Sequence, residues 1–286
     1  MRKDYTLAEK DHLDEEIAFV EDFWTRRWES HDGVPEADAL TGREEYAIMA
    51  PLLAGLPRGA RILDGGCGLG EWTVFLTDRG FDVVGMDISE LTIARLQALF
   101  PAYQFTRGDI RATGLTPASF DAYFSWGTFE HFENGPGDCI NEAYRVLKPG
   151  GLLWVTVPFQ NWRILLREAS PRYNWRQAYD LKPGYPWPMR FYQWRFTRAD
   201  LRQELEMRGF TILELIPIHR DQGLQRALVW DFGLTQGTRR FRLAERLLRR
   251  LTPTRLVAHM LMAVCRKPVT SPGEIPDVGC STHGGR

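Results

Sequence analysis

Three aspartates are the residues of greatest chemical promise in this chain. Asp64 opens the run Asp64-Gly65-Gly66-Cys67-Gly68-Leu69-Gly70. Glycines at Gly66, Gly68 and Gly70 permit a tight turn and let a ligand approach the backbone closely. A helix starting at Glu71 would add unpaired amides. An acid ahead of such a turn suits a cationic amino group. Asp87, followed by Ile88, stands about twenty residues beyond the glycines, the spacing at which a carboxylate accepts hydrogen bonds from ribose hydroxyls. Asp109 follows Gly108 and precedes Ile110. A carboxylate there can bind an adenine amino group, with Ile110 against the ring. Taken singly, each has a plainer reading: a strand-to-helix turn, a cap aspartate before Ser89, and a Gly-Asp turn. A dinucleotide site would have glycine where Glu71 stands. An anion at that point opposes a pyrophosphate, so an NAD-dependent oxidoreductase is the disfavoured alternative.

His131 is the candidate general base. Its ordinary pKa lies near neutrality, and it falls just past a strand, at the edge where open α/β sheets bind ligands. A structural histidine orienting the loop is the competing reading. Glu130 is a weaker candidate. Trp162, Trp175, Tyr192 and Trp194 belong to an aromatic and arginine-rich stretch over 159–196. Flat rings can stack on sugars or aromatic acceptors, and arginines pair with phosphates or carboxylates; a small satellite core is the alternative. The six histidines are dispersed and the four cysteines form no CxxC pair, so no metal site is expected.

An alternation of strands and helices must position these groups. Strands are predicted over Arg61–Asp64, Asp82–Asp87, Tyr103–Arg107, Asp121–Ser125, Leu152–Val157, Phe210–Ile218 and Val257–Cys265. Helices are predicted over 10–30, 43–54, Glu71 to about Arg79, from Ser89 to Leu99, 138–147, from Thr197 to Met207, and 239–251. Strands separated by helices give a mostly parallel sheet covered on both faces. The expected architecture is α/β and Rossmann-like, with seven strands, an N-terminal helical cap over 1–57, a main domain over 58–267 with insertions at 159–196 and 219–254, and a disordered tail over 268–286.

The composition is that of an ordinary globular chain, with 44% hydrophobic and 26% charged residues over 286 positions. A formal net charge of −1 gives no field to recruit nucleic acid. The N-terminus lacks the apolar core of a signal peptide, and no apolar run is long enough to span a bilayer. A cytoplasmic protein with reduced cysteines is expected.

The motifs Ile62-Leu-Asp-Gly-Gly-Cys-Gly-Leu-Gly70, Val84-Gly-Met-Asp87, Gly108-Asp109, the run Phe120–His131, and Arg145-Val-Leu-Lys-Pro-Gly-Gly151 occur in order and at matching intervals. In this the chain resembles the class I S-adenosylmethionine-dependent methyltransferase superfamily, notably its bacterial type 11 small-molecule branch. The resemblance implies S-adenosylmethionine as cofactor. It implies that Asp64, Gly66, Gly68 and Gly70 line the methionine and ribose part, that Asp87 binds ribose and Asp109 adenine, and that Ser125 and Trp126 lie beside the methionine moiety. One departure is Gly65, where the family often has a bulkier residue. The implied function is methyl transfer to a small or glycan-like acceptor, most often at oxygen. The alternative is a non-catalytic scaffold that keeps the fold.

The stretch 239–251 places Leu243, Ala244, Leu247, Leu248 and Leu251 on one helical face and crowds six arginines on the rest. The ordinary reading buries those leucines against the domain. The alternative lays the helix in the headgroup region of an anionic membrane, a peripheral contact at its inner face.

Overall fold

A computed structural model describes residues 1–7, 21, 24–26, 37–170 and 189–269. The main sheet has seven strands: β2 (Arg61–Gly65), β3 (Asp82–Asp87), β4 (Gln104–Arg107), β5 (Phe120–Trp126), β6 (Leu147–Pro158), β8 (Thr211–Ile218) and β9 (Met260–Arg266). Their order across the sheet is β4-β3-β2-β5-β6-β9-β8. The pairs from β4 to β6 are parallel. Strand β9 runs antiparallel to both β6 and β8. The fold is therefore the expected Rossmann-like α/β sheet. The direction of winding reverses between β2 and β5, and such switch points open a crevice beyond the strand ends.

Both faces of the sheet are buried. Tyr123, Leu153 and Val155 point into one core cluster, and Phe124, Leu152 and Trp154 into the other. This period-2 division of apolar residues lets two helical layers cover the strands. The helices that carry the site are α1 (Glu44–Leu53), α2 (Glu71–Thr77), α3 (Glu90–Leu99) and α4 (Gly137–Val146). Ser89 caps α3, its hydroxyl accepting from the Thr92 amide. After β6 come α5 (Trp162–Ala169), α6 (Arg198–Glu206), α7 (Arg220–Trp230), α8 (Arg239–Leu251) and the short α9 (Thr254–Val257). Thr197 and Asp200 form a reciprocal capping box at the start of α6.

Four features differ from the sequence expectations. The first residues form a strand, β1 (Arg2–Leu7), which pairs antiparallel with β7 (Met189–Arg195) inside the aromatic stretch. Neither strand shows an apolar alternation. Arg195 holds the pair together, donating to Asp4 Oδ1 at 2.9 Å and to Glu168 Oε1 at 2.8 Å. Strand β6 begins at Leu147, before Lys148-Pro149-Gly150, because a register shift opposite Phe120–Ala122 absorbs the turn-like residues. The segment after β8, read as irregular, carries α7. Val257, read as the start of the last strand, closes the short helix α9, and the strand starts at Met260. Most of the expected helix over 10–30, including Trp28, lies outside the described residues, as do Trp175, Cys280 and residues 270–286.

Candidate active site

Strand β2 ends in the glycine run, and the turn is pinned from behind. The amides of Gly66 and Cys67 both donate to Met86 O, at 2.8 and 2.9 Å. Gly66 has φ of 80°, and a Cβ there would stand 2.4 Å from Thr128 Oγ1. Gly65 also has no room: a Cβ would lie 2.2 Å from the Tyr123 hydroxyl. The bulk expected at position 65 is thus supplied from the neighbouring strand by the Tyr123 ring. Gly70 caps α2 with φ of 75° and packs against Phe105 and Leu96.

The turn borders a cavity of about 320 Å³. Asp64, Gly66, Gly68, Asp87, Ile88, Asp109, Ile110 and Trp126, all predicted from the sequence, lie on its wall, and so does His131. Gly70 and Ser125 do not lie on it. Gly70 starts the helix, and the buried Ser125 hydroxyl donates to Gly65 O at 2.6 Å from behind the turn. Both support the loop.

The acids differ in environment. Asp64 is 2% exposed and accepts from Thr73 Oγ1 at 2.8 Å. Burial, opposed by the Thr73 hydrogen bonds and aided by the charge of Asp87, pushes its pKa up to about 7. A cation placed beside it would reverse that penalty. Asp87 accepts from the Gly68 amide at 2.9 Å and from the Ser89 amide at 3.0 Å. Burial raises its pKa, and those amides oppose the rise. Asp109 is held by Arg111, whose Nε lies 3.1 Å from each carboxylate oxygen. That pair fixes the carboxylate on the wall. Among the described residues, no group of His, Cys, Asp or Glu is placed to hold a metal ion.

His131 sits in a single 3-10 turn, Phe129–His131, after β5. Its Nδ1 is 2.8 Å from Tyr192 O. A carbonyl can only accept, so Nδ1 carries the proton and Nε2 keeps the lone pair. Burial drives its pKa down to about 4, against the carbonyls of Tyr192 and Gly127. Glu130 is not on the cavity wall; its Oε1 lies 3.9 Å from His131 Nε2, and burial raises its pKa to about 8.

Residues 63–155, the segment that builds this turn and cavity, match the family model described as a methyltransferase domain. The matched segment is about a third of the chain and holds the whole glycine turn with Asp64, Asp87 and Asp109. A protein of Mycolicibacterium smegmatis named "Probable S-adenosylmethionine-dependent methyltransferase" is 25% identical to this chain over 180 residues, 63% of each. A malonyl-[acyl-carrier protein] O-methyltransferase of Enterobacter lignolyticus is 35% identical over 144 residues, covering 50% of this chain and 54% of the relative. The matches thus leave more than a third of each relative uncovered. Phosphoethanolamine N-methyltransferase 2 of Haemonchus contortus, solved with S-adenosyl-L-methionine, shares the fold with a TM-score of 0.54 at 17% identity, over 78% of this chain and 52% of that one.

The rest of the wall comes from residues not named as cofactor ligands from the sequence, though Trp24 belongs to the expected N-terminal helix and Thr128 to the Phe120–His131 motif. Trp24, Arg43, Trp72, Thr128 and Phe132 complete the wall. Arg43 Nη2 pairs with Glu71 Oε2 at 2.8 Å, which neutralises the acid that sits where a dinucleotide site has glycine. Of the aromatic candidates, Tyr192 stacks edge-on against His131 at 5.1 Å, and Trp194 Nε1 donates to Phe132 O at 3.0 Å. Trp162 points to solvent at 62% exposure and touches none of this.

Proposed function

We propose that this chain transfers the methyl group of S-adenosylmethionine to an oxygen of a small or glycan-like acceptor. The observation that carries the reading is the convergence of Asp64, Asp87 and Asp109 on one cavity within the matched domain. The donor set suits the cofactor. Asp64 faces the ammonium, Asp87 the ribose hydroxyls, Asp109 the adenine amino group between Ile88 and Ile110, and Trp126 the methionine chain. Gly66 and Gly68 bring bare backbone to the ligand. The bound sulfonium supplies an electrophilic methyl carbon, so the protein's task is to hold acceptor and methyl in line and to exclude water. Trp24, Trp72 and Phe132 provide the apolar wall for that. A histidine with pKa near 4 is a weak base. We therefore assign His131 a positioning role, tying the turn after β5 to Tyr192. The relative described as an O-methyltransferase supports oxygen as the acceptor atom.

Methyl-labelled S-adenosylmethionine, screened against hydroxyl-bearing acceptors, tests the reading. Label is expected in product with stoichiometric S-adenosylhomocysteine. Tight cofactor binding without transfer to any acceptor in a cell extract would favour the scaffold alternative.

A peripheral contact with an anionic membrane is the second reading, and one observation favours it. Phe241 of α8 is buried, and Ala244 and Leu248 pack beside it, yet Leu243, Leu247 and Leu251 are 59%, 59% and 76% exposed. The leucines are thus divided between the core and an outer stripe flanked by arginines, the amphipathic pattern of an interfacial helix. Among the described residues, no helix is long and apolar enough to cross a membrane.

A further inference from the structure

Near the carboxyl edge of the sheet, Arg226 stands without a counter-ion among the described residues. Arg226 lies in α7, which leaves the end of β8 through His219. Its guanidinium makes no hydrogen bond or ion pair with any described residue; its contact is the Trp230 ring, 5.5 Å from Cζ. Neighbouring arginines are matched. Arg163 and Arg167 both pair with Asp231, Arg195 with Asp4 and Glu168, and Arg249 with Asp221.

The surroundings of Arg226 are built and partly dry. Helix α7 presses Gly223 onto the turn before β9 so closely that a Cβ would lie 3.1 Å from the His259 amide. Arg226 follows three residues later, on the adjoining part of the same face. The half-buried ring of His259 has no hydrogen bond among the described residues. Its pKa is pushed down to about 3, first by burial and then by the charges of Arg226, His219 and Arg163. The acids nearby are already engaged: Asp231 by Arg163, and Glu45 by His219 Nε2 at 2.9 Å. Burial and the charge of Arg163 lower the pKa of Arg226, and Tyr192 opposes them. Tyr192 in turn stacks on His131, which lines the cavity. The start of α7 also meets the cavity's flank: His219 Nε2 bonds Glu45, two residues from Arg43 on the wall.

We propose that Arg226, with His259 beside it, holds an oxyanion of the acceptor, a carboxylate or a phosphate. A guanidinium partly withdrawn from water is normally paired, and its planar fork of N–H donors fits an oxyanion through two parallel hydrogen bonds. The assignment of that anion to the acceptor rests on the methyltransferase reading; the anion site itself does not.

Calorimetry with inorganic phosphate and, separately, benzoate tests the site, each titrated into protein saturated with S-adenosylhomocysteine and into protein without it. At least one probe should bind saturably. Arg226→Gln should weaken it about tenfold or more, and Arg226→Lys, which keeps the charge but not the fork, by less. Failure of both probes to bind the wild type, or equal binding by Arg226→Gln, would overturn the proposal. Without any anion, Arg226→Gln should melt no lower than the wild type, because it removes an uncompensated charge. A clear fall in Tm would mean that the protein already satisfies the guanidinium, and would also overturn it. Absence of S-adenosylhomocysteine binding would defeat the cofactor reading alone, since the anion titrations are read without it.

Discussion

Asp87→Asn isolates the ribose contact. Asparagine keeps the shape of the side chain, loses the charge, and replaces one acceptor oxygen by an amide that can only donate. In the wild type both carboxylate oxygens are already committed on one side, Oδ2 to the Gly68 amide and Oδ1 to the Ser89 amide. Whichever way the new amide turns, it faces an N–H donor or a ribose hydroxyl that needs an acceptor. A hydrogen bond to a charged group is worth roughly 1.5–3 kcal/mol. Losing one and weakening a second gives about 3 kcal/mol, or roughly a hundredfold in Kd. Asp87→Ala should be weaker still, because no acceptor remains. Titration calorimetry with S-adenosylhomocysteine measures this directly, and circular dichroism confirms that the variants fold. Both should also melt below the wild type, since the tether between the glycine turn and β3 is cut. An Asp87→Asn protein that folds and binds within threefold of wild type would refute the placement of the ribose.

Other consequences can be checked on the same protein. S-adenosylhomocysteine affinity should fall by about tenfold per unit as pH drops below about 7, because a proton must leave Asp64 before an ammonium can pair with it; Asp64→Asn should abolish that slope. Gly65→Val should cost about 1–3 kcal/mol by driving its side chain into the buried Tyr123 ring, and Tyr123→Leu in the same chain should recover part of it; an unchanged Tm would sink the packing argument. Glu130 has its pKa raised by burial, so its folded form keeps a proton that the unfolded chain has lost. Its contribution is full below about pH 4.5 and declines as pH rises toward about 8, so Glu130→Gln should flatten denaturant stability across that window. Co-sedimentation with vesicles containing anionic phosphatidylglycerol should exceed that with neutral vesicles and be lost in Leu247→Asp; indifference to lipid charge would remove the membrane reading.

The cofactor half of the site was legible because its information is local. Asp64, the glycines and Asp87 lie at strand ends whose apolar runs are unbroken, and the spacing alone puts them at one edge of the sheet. Gly70 and Ser125 show the limit of that logic: they belong to the motif, yet they act on the turn from behind. The side of the cavity around His131 and Tyr192 was hidden because it is assembled from afar. Nothing in Arg2–Leu7 announces a strand, since its partner is β7 and its stabilising contacts are Asp4 with Arg195. The leucines of 239–251 share a helical face on a wheel, but only tertiary packing decides that Leu248 turns inward and Leu247 outward. The Tyr123 ring filling the space above Gly65 was equally invisible, being a cross-strand relation.

The β1–β7 ribbon also fixes an order of events during synthesis. Arg2 pairs with Arg195, so β1 waits for nearly two hundred residues of synthesis before it has a partner. Pairing at such sequence distance is slow, because the loop must close before any contact rewards it. A nascent chain that has passed β6 already holds Asp64, Asp87 and Asp109 around the glycine turn, but His131 has no Tyr192 carbonyl to bond. The glycine-turn end of the cavity can therefore form before the His131–Tyr192 contact exists. A ligand arriving then would meet a cavity walled on the glycine-turn side and unfinished on the other.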